Sequence, residues 1–353
     1  MATTKQMILS SLLFLTALAN KPHHLPKRLI SWQGITEWLS VSEIDTLFKD
    51  RVHFMDITEH QLIPQIAQQN FFEPQTVDNQ ERVREAFEYI NKDKIEKSLR
   101  KFSSFFNRHY KSKYGKQSAE WLFLLLERIA NRSSHTITVN KFMHNWQQFS
   151  VIARIEGKSD EIVVISAHLD SIAGYFNSES AEAPGADDNG SGSMTILEIF
   201  RILTIAEKPE STIEFHWYSA EEAGLLGSQA VSSNYLQQQI NVKACLHMDM
   251  TGYNPSNEMG IVTDFVNRDL TNFVMDLAVE YLSIPIVETR CGYACSDHAS
   301  WTRAGYPSAF AIESKFNESN PYIHSKKDLI ENLDMDHIVE FVKLGLAFAY
   351  EVQ

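Results

Sequence analysis

Three short runs, EIVVISA (161–167), TIEFHWY (212–218) and VKACLHM (242–248), are rich in apolar residues, the first of them a continuous β-branched run, and stretches of helical apolar spacing separate them. A strand with one wet face alternates apolar and polar residues, so the continuous run EIVVISA belongs to a strand buried on both faces, and the other two are read as buried strands beside it. Helical spacing over Ser193–Leu203 and Gln229–Gln239 supplies the cover. The expected fold class is α/β, with a mixed, largely parallel central sheet and helices on both faces. Further strands are expected at Gln148–Ile155, Ile261–Thr263 and Ser308–Ile312. Helical spacing also runs over Arg82–Tyr110, Ala119–Ile129, Leu270–Leu282 and His337–Tyr350.

In such sheets ligands collect beyond the carboxyl ends of the strands. After EIVVISA stand His168 and Asp170, after TIEFHWY come Glu221 and Glu222, and after VKACLHM comes Asp249. The glycine-rich loop APGADDNGSG (183–192) holds Asp187 and Asp188, and PYIHS (321–325) offers His324. Singly, each has a structural explanation. A lone His at a strand end is usually a hydrogen-bonded core residue, ADDNGSG alone is a turn or helix cap, and Glu221-Glu222 alone is a solvated strand end.

Their coincidence on one sheet edge carries the argument. Without a cation, such a density of carboxylates would cost several kcal/mol in repulsion and desolvation. Imidazole mixed with carboxylate oxygens is zinc-type ligation, whereas an all-oxygen set would suit magnesium or calcium. A two-metal centre in which one carboxylate is shared, and each metal takes one His and one further carboxylate, uses this set economically. Successive side chains at a strand end point in different directions. One of the adjacent glutamates can therefore ligate metal while its neighbour serves the bound water as general base.

The first 76 residues read differently. Lys5, the apolar run Met7–Ala19 and the Ala17-Leu18-Ala19 ending have the form of a secretory signal peptide over residues 1–19. Its apolar core falls short of the roughly 20 residues that a membrane anchor needs, so no stable membrane anchor is expected. Residues 20–76, with short helical patches at Ile35–Leu39 and Val41–Phe48, read as a prosegment or N-terminal accessory region, leaving 77–353 as the catalytic domain. A formal charge of −13 argues against nucleic acid as a partner. Export permits a disulfide, for which Cys291 and Cys295 in CGYAC are the natural partners. Closing so small a ring is worth only about 2 kcal/mol, so it would mainly fix loop shape. Cys245 is expected as a buried free thiol.

The strings ISAHLDS (165–171), APGADDNGSG (183–192), SAEEAGLLGSQ (219–229), HMDMTGY (247–253), CGYACSDHASW (291–301), ESKFN (313–317) and IHSKKD (323–328) closely resemble the secreted bacterial leucyl aminopeptidases, which are co-catalytic di-zinc exopeptidases with a phosphorylase/hydrolase-like fold. The likeness spans residues 77–353. It implies two Zn2+ per chain, with Asp188 bridging, His168 and Asp249 completing one position, and Glu222 and His324 completing the other. Glu221 would be the general base, Asp170 would hold the His168 imidazole, and Tyr293 would donate to the developing oxyanion, steadied by the Cys291–Cys295 disulfide. Met250, Ile312, Phe316 and Ile323 match positions lining an apolar substrate pocket. Ile312 and Ser319 stand where aromatic residues occur in the family, and the implied substrates are peptides with a free N-terminus and an apolar first residue of the Leu, Met or Phe kind. The same fold also serves glutaminyl cyclases with one zinc and metal-free binding ectodomains, and the full ligand set with its base speaks against both.

Overall fold

The computed structural model describes residues 27–50, 52–60, 71–73, 75–174 and 178–352, so the signal-peptide reading of residues 1–19 lies outside the described residues. The strands are β1 (Arg28–Trp32), β2 (Ile35–Leu39), β3 (Met55–Asp56), β4 (Ile137–Phe142), β5 (Ser150–Ile155), β6 (Ile162–His168), β7 (Thr212–Tyr218), β8 (Val242–Met248), β9 (Met259–Val262), β10 (Ile286–Thr289) and β11 (Ser308–Ile312). The helices are α1 (Val41–Lys49), α2 (Gln80–Phe87), α3 (Lys92–Phe102), α4 (Lys113–Ala130), α5 (Gly192–Leu203), α6 (Leu226–Gln237), α7 (Arg268–Tyr281), α8 (His298–Arg303) and α9 (Met335–Glu351). None of the described helices is long and apolar enough to cross a membrane.

Eight strands form the central sheet in the order β10-β9-β11-β8-β6-β7-β5-β4. β7, β6, β8 and β11 run parallel at its centre, while β5 joins β7 and β9 joins β11 in antiparallel fashion. The expected mixed, largely parallel α/β sheet is present. Alternate residues of β6 serve opposite layers. Val163, Ile165 and Ala167 enter the large core with α5 and α9, whereas Ile162 and Val164 pack with Val231, Tyr235 and Trp301 beneath α6 and α8. Every residue of β6 and β7 is buried. β6 is nearly continuous in apolar residues, whereas β7 alternates Ile213, Phe215 and Trp217 with Glu214 and His216, two buried polar side chains that bond to each other. Each large aliphatic side chain buried there contributes roughly 1.5–3 kcal/mol.

Parallel pairing in register has a functional consequence. His168 lies opposite Tyr218 and Ala311 lies opposite Met248, so the carboxyl ends of β6, β7, β8 and β11 emerge along one edge.

One expectation needs correction and another refining. Ile35–Leu39 is a strand and not a helix: it pairs antiparallel with β1 through a two-residue turn, Trp32↔Ile35, in which Gln33 and Gly34 both have positive φ. Such turns match the twist of the flanking strands, and Gly34 was their signal in the sequence. The helical spacing read over Arg82–Tyr110 resolves into two helices, α2 ending at Phe87 and α3 ending at Phe102, and the Asn91 side chain accepts the Lys94 N–H at 3.0 Å to start α3. The edge strands β4 and β10, half-exposed and weakly patterned, escaped the sequence reading.

Candidate metal centre

Each candidate side chain leaves the sheet edge from a backbone held by specific bonds. After β7 the chain turns sharply at Ala220, whose φ is 60°, and delivers Glu221 and Glu222. Gly224 closes that turn with φ 98°, a region open to glycine. At Gly227 a side chain would have to stand 2.0 Å from the Ser219 carbonyl oxygen, so only glycine lets α6 start this close to the strand end. The ADDN loop is gripped from two sides. Asp328 accepts the Asp187 and Asp188 N–H groups at 2.9 and 3.0 Å. Arg108, fully buried, donates to the carbonyls of Leu169, Pro184 and Gly185. Asn189 ties the loop to β8 by donating to the Met248 carbonyl at 3.1 Å and accepting the Met250 N–H at 3.3 Å.

The two loop aspartates diverge. Asp187 is absorbed in structure, accepting from Gly252 N–H at 3.0 Å and from the Asn320 amide at 2.9 Å. Asp188 faces the crevice. One of its oxygens lies 3.1 Å from His168 Nε2 and the other 3.0 Å from His324 Nε2. Asp249 Oδ1 is 3.2 Å from His168 Nε2, and Glu222 Oε2 is 2.9 Å from His324 Nε2. His168, Asp188 and Asp249 thus form one group of metal-ligating geometry, Asp188, Glu222 and His324 a second, and Asp188 belongs to both. All five expected ligands meet.

The groups fit a cation on independent grounds. His168 Nε2, Asp249 Oδ1 and Glu222 Oε1 are buried with no hydrogen-bond partner, and orphaned polar atoms of this kind are costly unless something binds them. Burial opposes charge on His168, yet Asp249, Asp170 and Asp188 together raise it well above its ordinary value. The same contest between burial and Glu222 and Asp188 raises His324. Asp188 goes the other way: burial pushes it up, but the two imidazoles against it outweigh that and hold it far below the carboxylate range. The carboxylates around both imidazoles thus call for positive charge, which a cation would supply. One imidazole and two carboxylates per position is a zinc-type donor set.

Asp170 lies beneath both groups. Its Oδ1 is 3.5 Å from His168 Nδ1, and its two oxygens accept the backbone N–H groups of Glu221 and Glu222 at 3.1 and 3.3 Å. Glu221 belongs to neither ligand group, but it lines one small cavity with Glu222, Tyr293 and Cys295. Its carboxyl is buried, and that burial raises it well above its ordinary value.

The sequence profile of "Peptidase family M28" matches residues 150–349. The chain belongs to this family. It is 46% identical to a leucine aminopeptidase 1 of Ajellomyces capsulatus, over 93% of this chain and 90% of that protein. It is 44% identical to a leucine aminopeptidase 1 of Colletotrichum graminicola, over 90% of this chain and 84% of that one. Among solved structures, the LapA aminopeptidase of Legionella pneumophila superposes with a TM-score of 0.81 at 30% identity, covering 92% of this chain and 98% of LapA.

This M28 chain is therefore a metallo-aminopeptidase, a hydrolase acting on peptide bonds. The restriction to bacterial enzymes in the resemblance is not supported, since the curated relatives named here are fungal. The Cys291–Cys295 disulfide is formed, and Cys245 is a buried free thiol. Met250 and Ile312 are buried in one apolar cluster, against which Phe316, Ile323 and both disulfide cysteines pack. Tyr293 meets Phe316 edge-on at 6.0 Å between ring centres.

Sequence reasoning missed several residues of this site. Arg108 and Asp328 act on backbone atoms and carry no motif. Ser296 donates to Asp249 Oδ2 at 2.7 Å, although its signal, the SDH following CGYAC, lay inside a quoted string. His53, from the N-terminal region, was also unforeseen. Its ring stacks on Tyr293 at 5.3 Å and lies 5.7 Å from His324. It lines the same cavity as Glu221.

Proposed function

We propose that this M28 enzyme is a secreted two-zinc aminopeptidase that removes apolar, Leu-type residues from the free N-termini of peptides. The observation carrying this reading is the pair of ligand groups sharing Asp188, with the carboxyl of Glu221, a member of neither group, lining a small cavity beside Glu222. His168, Asp188 and Asp249 would hold one zinc; Asp188, Glu222 and His324 would hold the other. Bound there, the metals would supply Lewis acidity towards the scissile carbonyl and lower the pKa of the hydrolytic water. Glu221, which belongs to neither ligand group, would take the proton of that water and return it to the leaving amine. Tyr293 donates to the oxygen on which charge develops. The apolar cluster of Met250, Ile312, Phe316 and Ile323 receives the first side chain, and the acidic crevice suits its free ammonium.

The N-terminal unit is read as a prosegment. Its backbone is fastened beside the site: the Asp56 N–H donates to the Gly224 carbonyl at 3.1 Å, and the Gln229 amide donates to the Asp56 carbonyl at 2.9 Å. His53 then stands over Tyr293 and His324. The apolar run at Met7–Ala19 and the disulfide both support export.

The test is hydrolysis of a leucine anilide by the processed chain, before and after a zinc chelator, then with zinc restored. Activity that vanishes and returns is the expected outcome. A zinc-loaded, processed chain without activity would overturn the reading, and a glutaminyl peptide would then test for cyclisation.

A further inference from the structure

His247 is fully buried on β8, and its ring bridges two serines. Nδ1 lies 3.0 Å from Ser166 Oγ on β6, and Nε2 lies 2.8 Å from Ser296 Oγ. Ser296 in turn donates to Asp249 Oδ2 at 2.7 Å. Proton accounting fixes the direction of this chain. A serine hydroxyl has one proton, and a ligating carboxylate can only accept. The Ser296 proton therefore goes to Asp249, and its oxygen must receive the Nε2–H of His247. That holds whether His247 is neutral or charged.

The chain ends on one oxygen of a proposed metal ligand. With Oδ2 tied to Ser296, Asp249 keeps Oδ1 as its free atom, and Oδ1 is the buried, unpartnered oxygen 3.2 Å from His168 Nε2. Without a donor at Nε2, the Ser296 hydroxyl could rotate and Asp249 would lose the bond that selects its ligating oxygen. The Asp188–Glu222–His324 group makes none of these contacts.

We propose that His247 is a positioning residue that acts through Ser296 on Asp249 and sets metal affinity selectively at the His168–Asp188–Asp249 group. This rests on the two-metal reading above. A purely structural role is the alternative, since the ring also packs on Phe310 at 5.4 Å and lies 6.3 Å from His298.

The experiment is zinc titration of the full chain against a chromogenic chelator, for the parent and for His247→Leu, His247→Gln, Ser296→Ala and the Leu/Ala double variant. His247→Leu keeps the apolar packing but loses the donor, and should weaken one zinc about 10–100-fold while the other is unmoved. Gln can present an amide N–H to Ser296 and should restore most of the loss. The double variant should bind no more weakly than Ser296→Ala, because both substitutions cut one chain. Unchanged affinities in His247→Leu, equal weakening of both zincs, or additive losses in the double variant would overturn the proposal. Should the Leu variant fail to fold, His247→Asn takes its place, being too short to reach Ser296 and therefore expected to behave like Leu. A parent chain that takes up a single zinc would instead overturn the two-metal reading.

Discussion

The carboxylate of Asp170 accepts the backbone N–H of Glu221 at 3.1 Å and that of Glu222 at 3.3 Å, while facing His168 Nδ1 at 3.5 Å. One buried side chain thus sets the relative position of an imidazole ligand and the two neighbouring glutamates. Asp170→Ala should weaken zinc binding about 10–100-fold. It should also destabilise the chain by about 1–3 kcal/mol for each N–H left buried without an acceptor. Chelator competition and urea unfolding measure the two effects, and a variant with parental zinc affinity would remove Asp170 from the site.

The adjacent glutamates should separate cleanly. Glu221→Ala is expected to lower kcat by about 10²- to 10⁴-fold while metal content stays near that of the parent. Glu222→Ala, which removes a group 2.9 Å from His324 Nε2, should lose metal as well. Metal analysis alongside kinetics decides; equal metal loss in both variants would contradict the division of labour.

Metal removal should make stability depend on pH in a defined direction. Burial, with Asp188 adding to it, pushes Glu222 up to about 7, and burial pushes Asp297 up to about 8. Their ordinary values are 4.5 and 3.8, so the folded chain binds more protons and loses stability as pH rises through 7 and 8. His168 and His324 are raised too; their contribution is complete below 6.5 and is lost as pH rises through their folded values. Groups that act the opposite way, such as His53, lowered by burial to about 4, lose their contribution only as pH falls below 6.5. Calorimetry of the metal-free chain from pH 6.5 to 8 should show a decline of roughly 1 kcal/mol or more, one pKa unit being about 1.4 kcal/mol. The zinc-loaded chain should show a smaller decline, because the cation takes the place of the protons on Glu222, His168 and His324 while the burial of Asp297 remains.

Proteolytic processing of the full chain should raise activity. A cap tethered to its own site acts at an effective concentration in the mM range, so even a weak contact keeps the site closed. kcat/KM for a leucine anilide should rise at least about 10-fold on cleavage, and His53→Ala in the uncleaved chain should recover part of that gain. Equal activity before and after cleavage would make residues 27–60 an accessory domain.

The sequence alone determined the layer architecture and brought the candidate ligands into view. A strand buried on both faces favours a continuous apolar run, and EIVVISA admits few other uses, with TIEFHWY and VKACLHM as apolar-rich neighbours. A parallel sheet then obliges the residues following those runs to share an edge, which made His168, Glu221, Glu222 and Asp249 legible as one constellation. Sequence did not reveal what acts through backbone atoms or arrives from far along the chain. Arg108 holds three carbonyls, Asp328 holds two N–H groups from 140 residues away, and neither task demands a motif. The strand at Ile35–Leu39 was hidden because five residues fit either period, and pairing across Gln33-Gly34 settled it. The tertiary structure also decided that Asp187 and Asp188, identical and adjacent, have opposite fates. Successive side chains point apart, and only the packing around the loop determines which one meets solvent-free amides and which one meets two imidazoles.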